Sequence, residues 1–308
     1  MSVAPLRHDT VLSQFAAEVG DSGPIAIAGN RTRWNVGGQL ESSTRVITAP
    51  AGVVKFQPEE MTVVVRAGTS VAELSSVLAQ NNQHCALPDR GGTVGGAIAV
   101  GENDLAVLGK STVRSSVLEV RYVSAEGRLI RGGGPTVKNV TGFDLPRLMV
   151  GSLGTLGCLA EVILRTQPMP SVSQWYELTG ADAFEVFQKV FRPSAVLWNG
   201  KTTWVLLEGH ARDLQEQATT LSRLGACHEC EEPSLLPYRW SLTPSDLRNM
   251  SQFDTGNFVA SIGVGMVFAE KSQPKRILQP QIQSLTERIK NNFDPSGRLN
   301  PGRIVGAR

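Results

Sequence analysis

An α+β chain in two parts is predicted by three observations. A glycine-dense stretch, Pro88-Asp89-Arg90-Gly91-Gly92-Thr93-Val94-Gly95-Gly96-Ala97-Ile98-Ala99-Val100-Gly101, follows a helical pattern and runs into small apolar residues. Short β-branched runs before and after it end in glycine turns or in capped helices. Beyond about Ser171 the glycine density falls, and the elements come in the β-α-β-β-α order of a small helix-on-sheet domain. The 308 residues, 41% of them hydrophobic and 19% charged, are enough for two cores. A net charge of +2 gives no reason to expect nucleic acid or an anionic membrane as partner.

The elements follow in order. Asp9 or Thr10 caps a first helix with Val11, Leu12, Phe15, Ala16 and Val19 on its apolar face, and Gly20 ends it. Pro24 to Ala28 reads as a short buried strand running into a polar turn, Gly29-Asn30-Arg31-Thr32-Arg33. Met61 to Ala67 is a β-branched strand. Ser70 and Glu73 have capping-box spacing at the head of a helix whose stripe is Val71, Leu74, Val77 and Leu78. Val117 to Ser124 and Leu129 to Arg131 form a hairpin around Glu126-Gly127. Cys158 to Arg165 is the next strand, and Pro168 and Pro170 mark a boundary.

Further on, strands are predicted at 174–178, 195–198 and 203–208, helices at 181–190 and 211–224, and one or two buried strands over 258–268. Glu231 to Ser251 shows no period and reads as an ordered loop. Pro280 opens a last helix with Ile282, Leu285, Ile289 and Phe293 on one face. Turns at Asp294-Pro295-Ser296-Gly297 and Asn300-Pro301-Gly302 then shape the tail.

The glycine stretch carries the chemistry. Consecutive amides in such a turn converge on an anion, and glycine lets a ligand approach the main chain. The reading is a cradle for phosphate or pyrophosphate. The alternative is a tight turn between buried elements. Gly95→Val is expected to abolish cofactor retention by blocking a positive φ and close approach.

Other motifs exclude more than they assign. No Gly-x-Gly-x-x-Gly follows a strand, and Gly109-Lys110-Ser111 lacks the earlier glycine of a P-loop. Cys227-His228-Glu229-Cys230 has no second pair to complete a zinc site, and two glutamates follow it, so it reads as a reduced surface loop. The four histidines show no ligand spacing on one helix. No metal site is expected, and the cysteines cannot hold an iron–sulfur cluster. No charged leader with an apolar core opens the chain, and the best apolar run, 259–269, is too short to span a bilayer. A cytoplasmic location is expected, with any attachment to the inner membrane made through partners.

Three segments occur in a telling order: Gly29 to Arg33; Gly92-Thr93-Val94-Gly95-Gly96; and Val137 to Leu145 with Gly151-Ser152-Leu153-Gly154-Thr155-Leu156-Gly157. Together they resemble the FAD-binding domain of the vanillyl-alcohol oxidase / p-cresol methylhydroxylase (PCMH) type. The closing Phe293-Asp294-Pro295-Ser296-Gly297-Arg298-Leu299-Asn300-Pro301-Gly302-Arg303 resembles the C-terminal signature of FAD-linked oxidases. Lys-Asn-Val-Thr-Gly-Phe-Asp-Leu at 138–145 is similar to the FAD-binding subunits of glycolate oxidase (glycolate dehydrogenase) complexes.

The resemblance implies a PCMH-type domain of two α+β subdomains over 1–170, a small α+β cap over 171–284, and a segment, 285–308, that returns to the first domain. FAD lies between the subdomains. Gly29, Asn30, Arg31, Thr32 and Arg33, with Pro88, Gly92, Thr93, Val94, Gly95 and Gly96, would wrap the pyrophosphate. Lys138, Asn139, Gly142 and Asp144 would shape the flavin wall, with a helix cap as the alternative for Asp144. Gly154, Thr155 and Gly157 would let the backbone approach, and Asn300 would return to the ring. Relatives that tether FAD use a histidine in the first loop. Asn30 and Arg31 stand in that region here, so FAD is expected to be non-covalent.

The implied function is hydride acceptance from a small hydroxy acid within a complex whose other subunits include an iron–sulfur protein. The alternatives are a self-sufficient FAD enzyme for another alcohol or sugar acid, and an FAD-binding assembly subunit without turnover. A carboxylate substrate needs a cation, for which Lys110, Arg114 and Arg303 are candidates. No catalytic base is assigned.

Overall fold

The computed structural model describes residues 9–135, 144–274 and 279–305. They fall into two compact units. The first comprises Met1–Asn103, Thr112–Pro168 and Arg276–Ala307, and the second Asp104–Ser111 and Met169–Lys275.

In the first unit, helix Thr10–Val19 begins where the Asp9 carboxylate accepts from the amides of Val11 (3.0 Å) and Leu12 (3.3 Å). It ends at Gly20 (φ 63°), and Leu12, Phe15 and Val19 are buried, as their spacing requires. β1 (Ile25–Ile27) pairs in parallel with β2 (Arg45–Ile47). The other strands are β3 (Val53–Gln57), β4 (Thr62–Arg66), β5 (Gln83–Cys85), β6 (Val117–Val123), β7 (Leu129–Gly133) and β8 (Cys158–Pro168). They form an antiparallel sheet in the order β3-β4-β8-β6-β7, with β5 paired to the far end of β8.

One face of this sheet is apolar. Val63, Val65, Val120, Val162 and Leu164 lie there under Leu74 and Leu78 of helix Val71–Ala79 and Ile98 of helix Val94–Val100. The period-2 alternation turns charges to the other side. There Asp9 pairs with Arg66 (2.8 Å), Glu161 with Arg121 (2.9 Å), and Glu119 with Arg131 (2.7 Å). Glu119 and Glu161 are almost fully buried, so their arginine partners are what makes that burial tolerable.

Helix Pro280–Phe293 also belongs to this unit. Only its second half packs. Ile289 and Phe293 touch the core, whereas Ile282 and Leu285, expected on the same buried stripe, are 48% and 46% exposed. The contact is fixed at the helix end instead. Lys290 Nζ donates to the carbonyls of Thr155 (2.9 Å) and Leu299 (3.0 Å) and pairs with Asp294. Asp294 in turn accepts from the amides of Arg298 (3.0 Å) and Leu299 (2.8 Å).

Arg298 then spends its whole guanidinium on backbone. It donates to the carbonyls of Val19, Gly20, Ser22, Gly23 and Ala125 at 2.8–3.0 Å. All five N–H groups of an arginine are thus used. Leu299 bridges Ile25 in parallel, so the tail extends the β1–β2 pair.

The second unit is a seven-stranded antiparallel sheet. Its strands are β9 (Val172–Thr179), β10 (Ala195–Trp198), β11 (Thr202–Gly209), β12 (Ala226–Cys230), β13 (Tyr238–Ser241), β14 (Phe258–Ser261) and β15 (Met266–Ala269). They lie in the order β12-β9-β11-β10-β14-β15-β13. Val186, Leu214 and Leu221 of helices Ala183–Lys189 and Ala211–Leu224 share a core with Leu178, Val196, Val205 and Val267. Leu105, Ala106, Trp175, Leu197 and Phe268 form a second cluster.

Two expectations need correction here. The stretch 231–251 is not all loop: it holds β13 and a 3-10 turn, Asp246–Gln252, both too short to show a period. Cys227 and Cys230 lie in edge strand β12 rather than in a loop. An odd spacing on a strand turns them to opposite faces. Burial pushes both thiols up, which suits inert residues.

Candidate functional site: a cleft lined by two loops and the tail

The first unit contains a cleft enclosing about 1140 Å³, including its solvent-open mouth. Two loops and the tail build it. Gly29, Asn30, Arg31, Thr32 and Arg33 come from the loop after β1; Pro88, Gly92, Thr93, Gly95 and Gly96 from the central stretch; Gly154, Gly157 and Asn300 from the segments that follow. Sequence positions as far apart as 29 and 300 thus face one space.

The two loops are laced together. Asn30 Nδ2 donates to Gly91 O at 2.8 Å. A Cβ on Gly29 would lie 2.3 Å from Thr93 Oγ1, so glycine is what lets the loops touch. Glu102, 8% exposed, binds Arg33 Nε (3.1 Å) and Arg90 Nη1 (3.3 Å), one arginine from each loop. Glu102 was not singled out in the sequence. It follows a helix at Gly101 and has no motif around it; only its position within reach of both loops, a tertiary property, reveals it.

The amides sort differently from a simple nest. Val94 N–H donates to Thr69 O (2.8 Å), Gly95 N–H to Ala67 O (2.7 Å), and Gly96 N–H to Thr93 Oγ1 (3.2 Å). Those three are used within the protein. The amides of Asn30, Arg31, Thr32, Arg33, Gly92 and Thr93 make no hydrogen bond among the described residues. They are the ones left for an anion.

Gly95 also needs a new explanation. It is helical and has no positive φ. A Cβ there would meet Ala67 Cβ at 2.8 Å, so the glycine is needed for the helix to approach the end of β4. Gly91 (φ 71°) and Gly101 (φ 67°) are the left-handed residues of the stretch.

Three non-glycine residues with positive φ also line the cleft: Arg31 (58°), Leu153 (54°) and Asn300 (46°). Such backbone persists where the surroundings impose it, and it clusters at binding sites. At Asn300 the cause is visible: its amide donates to Ile25 O (2.8 Å) and its Nδ2 to Leu153 O (2.6 Å).

Other predicted residues stand apart from the lining. Val94 is wholly buried in the core, and Thr155 Oγ1 donates to Ser152 O (2.7 Å). Asp144 caps helix Leu145–Met149 and pairs with Arg147 (2.9 Å), the alternative weighed for it. Lys138, Asn139 and Gly142 lie outside the described residues. Of the carboxylate candidates, Arg303 lines the cleft, whereas Lys110 belongs to the second unit and pairs with Asp104 (3.5 Å).

Charge in the cleft is one-sided. Among the described residues its ionisable lining is Arg31, Arg33, Arg90, Arg303 and Glu102. Four cations against one carboxylate suit a polyanionic ligand. Among the described residues the lining contains no histidine, cysteine or tyrosine, the groups that would offer a flavin a covalent attachment. Among the described residues, no group of three His, Cys, Asp or Glu is placed to hold a metal ion. Free amides on a glycine-laced double loop, surplus arginines and apolar walls at Ile27, Val36 and Leu159 fit a dinucleotide bearing a pyrophosphate and a large ring system.

The fold and cleft suit a dinucleotide cofactor, and residues 8–133 match the FAD binding domain family. Over that segment the chain carries the family's match, and FAD is its cofactor. Over 209 residues it is 31% identical to the glycolate oxidase subunit GlcE of Escherichia coli (strain K12), covering 65% of this chain and 60% of that one. It is 29% identical over 184 residues to a D-2-hydroxyglutarate dehydrogenase of Xanthomonas citri pv. viticola, covering 58% of this chain and 37% of the relative. In both cases the match takes in less than two thirds of the relative. An alkyldihydroxyacetonephosphate synthase shares the fold, with a TM-score of 0.66 at 14% identity over 96% of this chain and 75% of that one. Among the described residues no helix is long and apolar enough to cross a membrane.

Proposed function

We propose that this chain is the FAD-carrying subunit of a complex that oxidises glycolate or another small 2-hydroxy acid. The observation that carries the reading is the 31% identity to a glycolate oxidase subunit, joined to a cleft with unused amides and surplus arginines. Asn30, Arg31, Thr32 and Arg33, with Gly92 and Thr93, hold the pyrophosphate through backbone amides, and Arg33 and Arg90 supply charge. Asn300 and Gly154 form the wall on the tail side. When bound, FAD supplies a two-electron acceptor for the hydride of the C–H being oxidised. Partner subunits, an iron–sulfur protein among them, carry the electrons onward.

One observation favours a partner-dependent form of this reading over a self-sufficient enzyme. Among the described residues the cleft lining holds one carboxylate, Glu102, and its ion pairs with Arg33 and Arg90 commit it to tying the two loops together rather than to a substrate. The base for the hydroxyl proton then comes from outside the cleft lining.

The test is the visible spectrum of the purified chain before and after anaerobic glycolate. Flavin released by denaturation supports non-covalent FAD, and bleaching by glycolate makes the chain catalytic in its own right. Flavin without bleaching until partner subunits are added supports the partner-dependent form. Absence of flavin after reconstitution sinks the proposal.

A further inference from the structure

The tail side of the cleft holds charge that the loop lacing does not use. Arg33 and Arg90 share Glu102, but Arg31 and Arg303 have no ion-pair partner among the described residues. Both guanidiniums lie on one indole: Arg31 Cζ is 5.0 Å and Arg303 Cζ 5.2 Å from the Trp34 ring centroid. Two cations gathered on one ring repel each other, and the attraction of the ring face offsets this only in part.

Arg303 is fixed in an unusual way. Its Nη1 donates to the carbonyls of Val36 (2.9 Å) and Gly38, which uses both hydrogens of that nitrogen. Nε and Nη2 make no hydrogen bond among the described residues, and neither is a buried orphan. One end of the fork is therefore clamped to backbone and the plane rests by Trp34. The Nε/Nη2 edge remains, two parallel donors, which is the shape that receives a carboxylate bidentately. The residue is half-buried and lines the cleft. Burial holds its guanidinium below the ordinary value, as expected of a cation that has lost water without gaining an anion.

We infer that the Nε/Nη2 edge of Arg303 is a carboxylate receptor for a small organic acid bound alongside FAD, with Trp34 orienting the fork and Arg31 adding positive field. The inference rests on the hydroxy-acid reading for the class of its ligand, but its geometry is independent of that reading. It assigns the pyrophosphate to the loop side, where the free amides lie, and a second, smaller anion to the tail side.

The test uses the FAD-loaded full chain with oxalate, a dicarboxylate that offers no C–H to oxidise, and inorganic phosphate as the second probe. Binding is measured by calorimetry, and the FAD content of each variant is measured in parallel. Oxalate is expected to bind one per chain and more tightly than phosphate. Arg303→Lys keeps the charge but loses the fork, and is expected to weaken oxalate about tenfold or more while FAD content holds. If that variant does not fold, Trp34→Leu, which removes the surface under the fork, is expected to weaken oxalate in the same direction.

Oxalate affinity unchanged in these variants overturns the receptor. So does a parallel loss of FAD, which would place Arg303 in the cofactor's own site, and so does tighter binding of phosphate than of oxalate. Bleaching by glycolate with oxalate affinity untouched by Arg303→Lys sinks the receptor alone. Arginine-dependent oxalate binding without any bleaching, even with partner subunits present, sinks the oxidation reading alone.

Discussion

Asn300 and Gly154 occupy one space. The Asn300 amide group lies against the Gly154 backbone so closely that a Cβ on Gly154 would sit 2.3 Å from its Nδ2. Gly154 has φ 70°, and Asn300 holds its own left-handed φ of 46° while donating to the neighbouring Leu153 carbonyl. Gly154→Ala therefore costs twice, through the strained φ and through displacement of Asn300. The expected loss is about 2 kcal/mol of stability with weakened FAD retention, read by thermal unfolding with and without added FAD. A variant with unchanged melting and full flavin would show that this contact does not shape the wall.

Glu102→Gln tests the lacing of the loops. The amide keeps the size but leaves Arg33 and Arg90 facing each other across a part-buried space. Removing one member of such a cluster typically costs about 2–4 kcal/mol, discounted here because Arg33 is more than a third exposed. The expected signature is faster tryptic cleavage after Arg31, Arg33 and Arg90 and faster FAD release. Unchanged cleavage in both loops would mean that Asn30 and Gly91 suffice to hold them.

Gly95 and Ala67 make a reciprocal pair. Gly95→Ala places a methyl 2.8 Å from the Ala67 methyl in a helix that otherwise accepts alanine. Unfolding is expected at lower temperature, by about 1–3 kcal/mol of overpacking. Adding Ala67→Gly removes the opposing methyl and is expected to recover part of the loss, because Ala67 O remains 3.0 Å from the new Cβ. A double variant no better than the single one would disprove the packing account and return Gly95 to the ligand.

Asp9 gives the chain an acid sensitivity. Burial pushes its carboxyl up, but the hydrogen bonds from Arg66, Leu12 and Val11 and the Arg66 charge outweigh this, so its pKa is lowered. A depressed folded-state pKa contributes stability above the unfolded value, about 3.9, and that stability is lost as pH falls through the folded value. Wild type is thus expected to lose melting temperature below about pH 4 more steeply than Asp9→Asn. Parallel curves from pH 7 to pH 2 would remove Asp9 from the account.

The main elements of the first unit were legible because local chemistry agrees with the fold. Asp9 and Ser70 cap where their spacing requires, and Val63 and Val65 alternate inward as a half-buried strand must. The cleft's glycine loops were legible for the same reason. β2 and β3 were not, because Arg45 and Val46 of β2 and Val54 and Lys55 of β3 are exposed in succession, so neither strand shows the inward alternation that marked β4. Helix Val94–Val100 was hidden by the glycines at its start, which score against a helix but are tolerated for contact with Ala67. Glu102, Trp34 and the clamped edge of Arg303 depend on pairings such as Arg33 with Glu102, Trp34 with Arg303 and Val36 with Arg303, which no local pattern records.

The grip of Arg298 on the carbonyls around Gly20 and Gly23 has a consequence for how the protein is made. The partners stand up to 279 positions apart, and Asn300 and Arg303, which line the cleft, follow Arg298 on the same tail. On the ribosome, the family-matched segment 8–133 emerges long before them. For much of synthesis a domain with both loops but no tail wall exists as a nascent chain, with the edge of β1 that Leu299 later covers open to solvent. The cleft's lining is therefore complete only after the segment of the second unit, 169–275, has been synthesised between the loops and the tail.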